Sequence, residues 1–263
     1  MASSSQPLAL ITGASSGLGL ELARIHAARR GDLILVARRR QRLEVLQEEL
    51  QTAHGIDATV IPLDLARPEA PRELFDKVQA AGLEVDYLIN NAGFSGYGPS
   101  WQRQWAQERA MIDVNIAALT GLTSLFLPAM VDRGQGRILN LGSVAGFIPG
   151  PMQGVYFASK AYVVSYTQAL AEELRGTGVS ATVLCPGVTA TEFVAQAQLE
   201  EVKAFRTGLA APEQVARHGY RAMERGQAVT VTGLQNRFMT HFLTRITPLW
   251  LTRRLVHRSM KKT

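Results

Sequence analysis

The stretch Thr12-Gly13-Ala14-Ser15-Ser16-Gly17-Leu18-Gly19 is the strongest fold signal in this 263-residue chain. It follows four apolar residues, 8–11, that are typical of a buried strand, and it opens a segment, 20–27, with helical apolar spacing. Glycines allow a tight turn, and the amides at a helix start attract an anion. A strand, a glycine-rich turn and a helix in this order predict that the turn binds the pyrophosphate of a dinucleotide.

Apolar segments alternate with helical patterns along the rest of the chain. This alternation predicts a single-domain Rossmann fold, with a doubly wound parallel sheet of about seven strands. The predicted strands are residues 8–11, 32–37, 58–63, 85–90, 137–141, 180–185 and 228–232. The predicted helices include residues 39–53, 71–81, 105–131, 153–175 and 212–225. In such a sheet the ligand crevice lies at the carboxyl ends of the strands, where the polar motifs of this chain fall.

A second pattern, Tyr156-Phe157-Ala158-Ser159-Lys160, places a phenol and an ammonium about one helical turn apart. A free tyrosine has a pKa of about 10, and a neighbouring Lys⁺ favours the phenolate and lowers that pKa. Helix surfaces also produce this spacing by chance. It gains meaning from Ser143, thirteen residues upstream, and from the glycine-rich turn. Together these features indicate proton transfer beside a bound nucleotide.

These motifs resemble those of the short-chain dehydrogenase/reductase family, over nearly the whole chain. Residues 12–19 match its coenzyme motif, 90–93 match the Asn-Asn-Ala-Gly element after its fourth strand, and 186–191 match its Pro-Gly segment. The catalytic tetrad of the family falls on Asn115, Ser143, Tyr156 and Lys160. Within the family, the basic segment 37–40 and the basic C terminus resemble a group of bacterial-type reductases. The resemblance implies hydride transfer between a nicotinamide and a carbonyl carbon, and it leaves the substrate open.

The resemblance also implies roles for individual residues. Tyr156 would protonate the carbonyl oxygen, Ser143 would hydrogen-bond it, Lys160 would lower the pKa of Tyr156 and bind the nicotinamide ribose, and Asn115 would hold a water beside Lys160. Asp64 would meet the adenine, with a helix-start cap as the alternative. The residues implied to bind the cofactor are Gly13, Ser15, Ser16, Gly17, Leu18, Gly19, Arg38, Asp64, Asn91, Ala92, Gly93, Tyr156, Lys160, Pro186, Gly187, Thr189 and Thr191.

The end of the second strand indicates which nicotinamide cofactor binds. NAD enzymes usually place a carboxylate about 20 residues beyond the glycine-rich turn, where it bonds the ribose 2′-hydroxyl. This chain has Arg38-Arg39-Arg40 there, and Arg38 could fork onto a 2′-phosphate. The alternative is a solvated basic helix start, which the helix dipole disfavours. The sequence therefore predicts NADP(H).

The net charge of +6 is concentrated at the C terminus. Residues 225–263 contain no Asp or Glu and eight Arg or Lys, so residues 1–224 carry a net charge of about −2. Nucleic-acid binding by the protein as a whole is therefore not predicted. Apolar residues recur at helical spacing in this basic segment, at Phe238, Met239, Phe242, Leu243 and Ile246 and again at Leu251, Leu255 and Val256.

These patterns divide the chain into a catalytic domain, residues 1–233, and a basic amphipathic helical extension, residues 234–263. The extension, with Trp250 and its interleaved arginines, fits a peripheral membrane contact. The alternative is packing on the domain or on a second subunit, because helices of soluble proteins are amphipathic too. Both a monomer and a homo-oligomer are compatible with the sequence.

Further sequence features bear on the cellular compartment of the protein and on the make-up of its substrate site. The single cysteine, Cys185, excludes an internal disulfide and suits a reducing, cytoplasmic compartment. No apolar run of 18 residues predicts a membrane span, residues 1–6 lack the apolar core of a signal peptide, and no metal site is predicted. Residues 192–209 are the expected substrate lid. Candidates for an apolar substrate pocket, with core packing as the alternative, are Phe94, Tyr97, Trp101, Trp105 and Phe147.

The predicted substrate is a small-molecule ketone or secondary alcohol of apolar or moderate polarity. One alternative is a 3-oxoacyl thioester, whose acidic carrier could meet the basic extension. The other is a protein that binds NADP(H) as a sensor without turnover. The intact set of Asn115, Ser143, Tyr156 and Lys160 argues against a sensor, because binding alone needs no proton relay.

Overall fold

The computed structural model describes residues 6–197, 199–205, 208–243 and 246–261, apart from the side chains of residues 241 and 243. Seven parallel strands form one sheet in the order β3-β2-β1-β4-β5-β6-β7, which confirms the predicted doubly wound Rossmann fold. The strands are β1 Leu8–Thr12, β2 Asp32–Ala37, β3 Ala58–Pro62, β4 Tyr87–Asn90, β5 Gly136–Leu141, β6 Val179–Cys185 and β7 Val229–Val231. Two of the basic residues of the extension, Arg245 and Lys262, and the side chain of Leu243 lie outside the described part.

The helices connect the strands and continue into the extension. They are α1 Gly17–Ala27, α2 Arg40–His54, α3 Ala70–Ala80, α4 Trp105–Asp132, α5 Gly154–Glu173, α6 Glu192–Gln196, α7 Pro212–Glu224, α8 Leu234–Phe238 and α9 Leu249–Ser259. Short 3₁₀ turns cover Ser100–Gln102, Val144–Phe147 and Lys203–Phe205, and Met239–Leu243 is π-helical. The strands and helices predicted from the sequence end within about two residues of the observed ones.

Both faces of the sheet are buried, because successive strand side chains point to opposite sides. On one face, Leu10 belongs to a core with Phe126 of α4 and Leu170 of α5. On the other face, Ile11 belongs to a core with Leu22 of α1 and with residues of α2 and α7. This two-sided burial explains why the strands are continuous apolar runs in the sequence. Because all the strands are parallel, the loops after them lie at one edge of the sheet.

Helix α4 is long and apolar enough to cross a membrane, although the sequence has no continuous apolar run of 18 residues. The most apolar 18-residue window of this helix has a mean hydropathy of 1.7. Its apolar side chains Val114, Leu122, Phe126 and Met130 are buried in the core, as in the core helix of an α/β protein. The helix also contains a π-helical segment, Asp113–Ala118, that the sequence pattern did not predict.

The extension has one face packed on the domain and one exposed face. On the packed face, Met260 is buried and its carbonyl oxygen accepts a 2.6 Å hydrogen bond from the Tyr97 hydroxyl. The exposed face carries large apolar side chains, namely Leu234, Phe238, Phe242, Ile246, Leu249 and Trp250, and Leu255 is half-exposed beside the cavity. The packed face therefore agrees with the alternative that the extension packs on the domain. The domain boundary at residue 233 stays a prediction.

Candidate active site

A cavity of about 1040 Å³ lies at the carboxyl edge of the sheet, where the loops after the first six strands, β1 to β6, meet. Two of the predicted site residues, Gly19 and Asn115, do not line this cavity. The others do: Gly13, Ser15, Ser16, Gly17, Leu18, Arg38, Asp64, Asn91, Ala92, Gly93, Ser143, Tyr156, Lys160, Pro186, Gly187, Thr189 and Thr191. The topology thus brings segments that are more than 100 residues apart to one site.

The glycine-rich turn forms a cradle at the start of α1. Gly13 and Gly17 have φ angles of +67° and +57°, which residues other than glycine rarely adopt. A Cβ atom at Gly19 would lie 2.3 Å from the carbonyl oxygen of Gly13, so Gly19 serves the close packing of the turn rather than the cavity wall. The first helical turn has no side-chain cap, which leaves its amides available to an anion.

Asn91 holds this turn to the loop after β4. Its side-chain amide donates to the carbonyl oxygen of Thr12 at 2.8 Å, and the backbone amides of Asn91 and Ala92 both donate to the Thr12 hydroxyl at 3.0 Å. Asp64, which also lines the cavity, accepts from the backbone amide of Ala66 at 3.1 Å. Because α3 begins only at Ala70, Asp64 closes a turn, and its alternative interpretation as a helix cap is wrong.

Two arginine side chains, Arg38 and Arg39, line the cavity at the end of β2, and they differ in their contacts. Arg39 donates to the Ser16 hydroxyl at 2.7 Å and to Glu192 at 2.7 Å, while Arg42 donates to the same carboxylate at 2.5 Å. These two hydrogen bonds, from Arg42 first and Arg39 second, lower the pKa of Glu192 to about 2. Arg38 is exposed at the cavity and makes no hydrogen bond or ion pair with the described residues. Both Arg38 and Arg39 line the cavity, and Arg39 contacts the turn directly.

Tyr156 and Ser143 meet in the wall of the cavity. Burial raises the pKa of Tyr156 to about 12, and a hydrogen bond with Ser143 opposes that rise. The Ser143 hydroxyl also accepts from the amide of Ala145 at 3.1 Å, which fixes its position at the start of a 3₁₀ turn. The expected lowering of this pKa by Lys160 is not seen in the protein alone, where burial has the largest effect on the phenol.

Lys160 lies one helical turn beyond Tyr156, and its Nζ atom is 5.8 Å from the centre of the phenol ring. It donates to the carbonyl oxygen of Leu141 at 2.7 Å. Burial lowers the pKa of Lys160 to about 8, so the group is still mainly protonated at neutral pH. The neighbouring Cys185 is fully buried, and burial raises the pKa of its thiol to about 12, which fits the interpretation of this residue as a small hydrophobe.

Asn115 lies in the π-helical segment of α4, directly behind the cavity. Its carboxamide oxygen accepts from the amide of Phe94 at 3.1 Å, and its amide group donates to Phe94 O at 3.0 Å and to Ser159 Oγ at 3.1 Å. Local π-helical geometry is frequent at functional sites because it redirects side chains. Asn115 therefore ties the loop after β4 to α5, whereas its role as a water anchor stays a prediction.

The sequence was compared with known protein families, and the result agrees with the fold and with this arrangement of site residues. Residues 7–202 match the family described as short chain dehydrogenase. The chain belongs to this family. Sulfoacetaldehyde reductase 2 of Chromohalobacter salexigens is a family relative that is 41% identical over 188 residues, which cover 71% of this chain and 74% of the relative.

Solved structures of short-chain dehydrogenases extend the similarity to almost the full length. The enzyme from Sphingobium yanoikuyae in complex with NADPH is 30% identical, with a TM-score of 0.81 over 97% of this chain and 96% of that one. The bulky-bulky ketone specific alcohol dehydrogenase from Comamonas testosteroni is 27% identical, with a TM-score of 0.77 over 97% and 95% of the two chains. The extension therefore belongs to the part that aligns with these structures.

The Pro-Gly segment of the family closes over the glycine-rich turn. The Thr191 hydroxyl accepts from the amide of Phe193 at 3.4 Å and so caps the short helix α6. Its side chain also approaches Gly17, where a Cβ atom would lie 3.2 Å away. Thr189 donates to the carbonyl oxygen of Gly187 at 3.1 Å. Both threonines line the cavity. The resemblance to the family predicts that one of them, Thr189 or Thr191, binds the nicotinamide carboxamide.

Of the five aromatic residues expected to line a substrate pocket, only Phe94 borders the cavity. Trp101 and Trp105 are 85% and 68% exposed, Phe147 packs in a separate core cluster, and Tyr97 holds the extension in place. Conversely, the sequence did not single out several residues that line the cavity, among them Ile148, Gln153, Ser259 and Met260. Other lining residues were noted only as part of the expected lid or of the extension, namely Phe193, Val194, Phe205, Met239, Leu255 and Val256. The helical apolar spacing at residues 251–256 was the clearest sequence signal for Leu255 and Val256.

Proposed function

We propose that this protein is an NADP(H)-dependent oxidoreductase that interconverts a ketone and a secondary alcohol. The observation that carries the proposal is the convergence of Ser143, Tyr156 and Lys160 on the same cavity as the glycine-rich turn. A protein that only senses the nucleotide needs the turn but not a buried acid beside it. An NADPH absorbance assay with a panel of ketones, alcohols and 3-oxoacyl thioesters tests the proposal.

NADP(H) is the cofactor that fits the residues present. The glycine-rich cradle can hold a pyrophosphate, and the end of β2 offers Arg38 and Arg39 instead of the carboxylate that would repel a 2′-phosphate. The NADPH bound to the Sphingobium yanoikuyae enzyme supports this choice. When bound, the nicotinamide supplies or accepts the hydride, and Lys160, Thr189 and Thr191 would hold its ribose and carboxamide.

The chain's own residues supply the proton and stabilise charge. In reduction, the Tyr156 hydroxyl donates a proton to the carbonyl oxygen, and Ser143 hydrogen-bonds that oxygen as charge develops on it. A pKa of Tyr156 raised by burial keeps the phenol protonated before the reaction, which suits this direction. The Lys160 ammonium then stabilises the phenolate that remains, and Asn115 keeps the surrounding loop and helix in register.

The pH dependence follows from Lys160. Its pKa of about 8 lies below the usual value because of burial, so its charge is lost as the pH rises through that value. We expect kcat/KM for NADPH, which reports groups of the free enzyme, to be level near neutral pH and to fall about tenfold per pH unit well above pH 8. A profile that is still level near pH 10, the usual range of a free lysine, would contradict this role of Lys160.

A 3-oxoacyl thioester remains the second substrate candidate. Arg253, Arg254 and Arg258 are exposed on α9, whose opposite side lines the cavity, so an acidic carrier could dock beside the cavity wall. Turnover of a free ketone at a rate equal to or above that of the matching thioester would favour the ketone. Strong salt dependence of the thioester reaction alone would favour the carrier substrate.

For the exposed face of the extension we propose a peripheral contact between a cytoplasmic enzyme and an anionic membrane. Phe238 and Phe242 stack at 5.5 Å on this face, and Trp250 is exposed beside Arg254. We expect co-sedimentation with anionic vesicles that weakens with salt, because each basic group near the surface adds about 1 kcal/mol. Phe242→Ser should reduce this binding.

The control for the vesicle experiment is Trp101→Ser, because Trp101 is more exposed than Phe242 but lies outside the extension. It should leave vesicle binding unchanged. If the intact protein does not sediment with vesicles and Phe242→Ser instead dissociates an oligomer, the exposed face contacts a second subunit and the membrane proposal is wrong. The oligomeric state of both variants is measured by light scattering.

A further inference from the structure

Part of the cavity wall comes from the C-terminal helix α9. Leu255, Val256, Ser259 and Met260 line the cavity there. Val256 packs against the apolar cluster that includes Tyr156, and both residues line the same cavity. Substrate held by the hydroxyl of that tyrosine therefore has the C-terminal helix within its reach.

This wall is anchored rather than loosely attached. Met260 is 2% exposed and packs in a cluster with Leu199 and Val202 of the lid segment. The Tyr97 hydroxyl donates to Met260 O at 2.6 Å, and the amide of Lys203 donates to the carbonyl oxygen of residue 261 at 3.3 Å. A side chain on the inner face of α9 is thus held in a defined place, as a specificity-determining residue must be.

The part of the cavity near α9 is largely apolar and, among the described residues, has no cationic side chain to pair with an anion. The apolar side chains there include Phe193, Val194, Leu255, Val256 and Met260, and the polar ones are Glu192, Gln196 and Ser259. Within the described part of the chain, the only Arg, Lys or His side chains that line the cavity are Arg38, Arg39 and Lys160. Arg38 and Arg39 belong to the end of β2 beside the glycine-rich turn, and Lys160 bonds Leu141 O.

Gln153 is a polar residue of the cavity wall whose side-chain orientation is fixed. Its amide group donates to the Ser95 hydroxyl at 2.6 Å and to the Gly96 carbonyl at 3.4 Å, which fixes the orientation of the carboxamide. Its carbonyl oxygen is buried and has no hydrogen-bond partner among the described residues, although Gln153 lines the cavity. Gln153 thus adds a polar but uncharged side chain to the cavity wall and offers no positive charge to a carboxylate or sulfonate.

We propose that the substrate is an uncharged, bulky and largely apolar ketone, or the corresponding alcohol, and that Val256 of α9 limits its size. The inference rests on the proposed oxidoreductase function and adds to it the substrate class and the specificity-determining residue. The reacting carbonyl lies at Tyr156 and Ser143, and the rest of the molecule packs against Phe193 and the inner face of α9.

The size limit is tested with cyclohexanone and its bicyclic homologue decalone. The parent should prefer decalone, and Val256→Trp should lower the ratio of kcat/KM for decalone over cyclohexanone by about 10- to 100-fold, the range for a change in a hydrophobic pocket. Val256→Ala should shift the ratio toward decalone, and it serves if the tryptophan variant does not fold. Leu249→Trp, at the exposed start of the same helix and outside the cavity wall, should keep the ratio of the parent. An unchanged ratio in both Val256 variants would overturn the assignment.

The charge preference is tested with acetoacetate and its neutral methyl ester, which share the reacting ketone. The parent should reduce the ester at least about tenfold more efficiently, since the anion has no cationic partner in this part of the cavity. Gln153→Lys, which supplies one, should narrow the difference. A parent that prefers acetoacetate would overturn the inference.

Binding separates a failure of this inference from a failure of the proposed function. Calorimetric titration of the same ketones into NADPH-saturated Tyr156→Phe protein measures the pocket without turnover. If no ketone oxidises NADPH in the parent but decalone still binds more tightly than cyclohexanone, the proposed reaction is wrong and the apolar pocket is right. If ketones are turned over but binding shows no preference for the larger or the uncharged compound, the pocket inference is wrong and the reaction is right.

Discussion

Tyr156→Phe should lower kcat for ketone reduction by about 10²- to 10⁴-fold, the usual contribution of a positioned general acid. The substitution removes the hydroxyl that donates the proton and leaves the ring in place. That ring is buried and lies 5.5 Å from the ring of Phe193, so the packing and the cavity shape should survive. The dissociation constant for NADPH and the thermal unfolding midpoint should stay close to those of the parent.

The control for this prediction is Tyr162→Phe on the same helix. Tyr162 is partly exposed, and its hydroxyl pairs with Thr120 away from the cavity, so this variant should turn over ketone at the parental rate. Steady-state kinetics of the two purified variants and the parent measure the effect. A Tyr156→Phe enzyme that keeps a kcat within about threefold of the parent would remove Tyr156 from the chemistry.

Arg38→Asp should change the ratio of kcat/KM for NADPH over NADH by about 10²- to 10³-fold in favour of NADH. A hydrogen bond to a charged group contributes about 1.5–3 kcal/mol, and the introduced carboxylate adds repulsion of the 2′-phosphate. The exposed guanidinium of Arg38 has no other partner among the described residues, so its loss should not disturb the fold. Kinetics with both cofactors at a fixed ketone concentration give the ratio.

The neighbouring arginines make this experiment specific. Arg40 pairs with Glu44 and does not line the cavity, so Arg40→Asp, with the same change in net charge, should leave the cofactor ratio unchanged. Arg39 contacts Ser16 and Glu192 at the turn, so Arg39→Ala tests whether it shares the phosphate. A ratio that responds to Arg39→Ala but not to Arg38→Asp would move the 2′-phosphate site to Arg39.

The fold could be predicted because its signals are local. Continuous apolar runs such as Ile34 to Val36 indicate strands buried on both faces, and the glycine pattern at 13–19 indicates the first turn. Parallel strands then bring the loops after them to one edge, which is why residues as distant as Gly13 and Thr191 were predicted to share a site and do line one cavity.

The rest depends on tertiary contacts that no local pattern contains. The pKa of Tyr156 rises because the surrounding protein desolvates it, an effect that the Tyr-x-x-x-Lys spacing does not reveal. The apolar stripe of α9 is equally compatible with a membrane surface and with packing, and only the contacts of Val256 and Met260 place its inner face at the cavity. Trp101 and Trp105 look like pocket residues by type, yet both are exposed.

The central claim is that hydride passes between NADP(H) and a carbonyl carbon held at Tyr156. The most direct test uses NADPH deuterated at C4 of the nicotinamide, with decalone as the ketone and mass spectrometry of the alcohol formed. The proposed function predicts that, from one of the two C4-labelled stereoisomers, deuterium appears on the carbon that bears the new hydroxyl, and that Tyr156→Phe abolishes nearly all of this transfer. An alcohol that carries no deuterium with either stereoisomer, or equal transfer in the Tyr156→Phe protein, would contradict the claim.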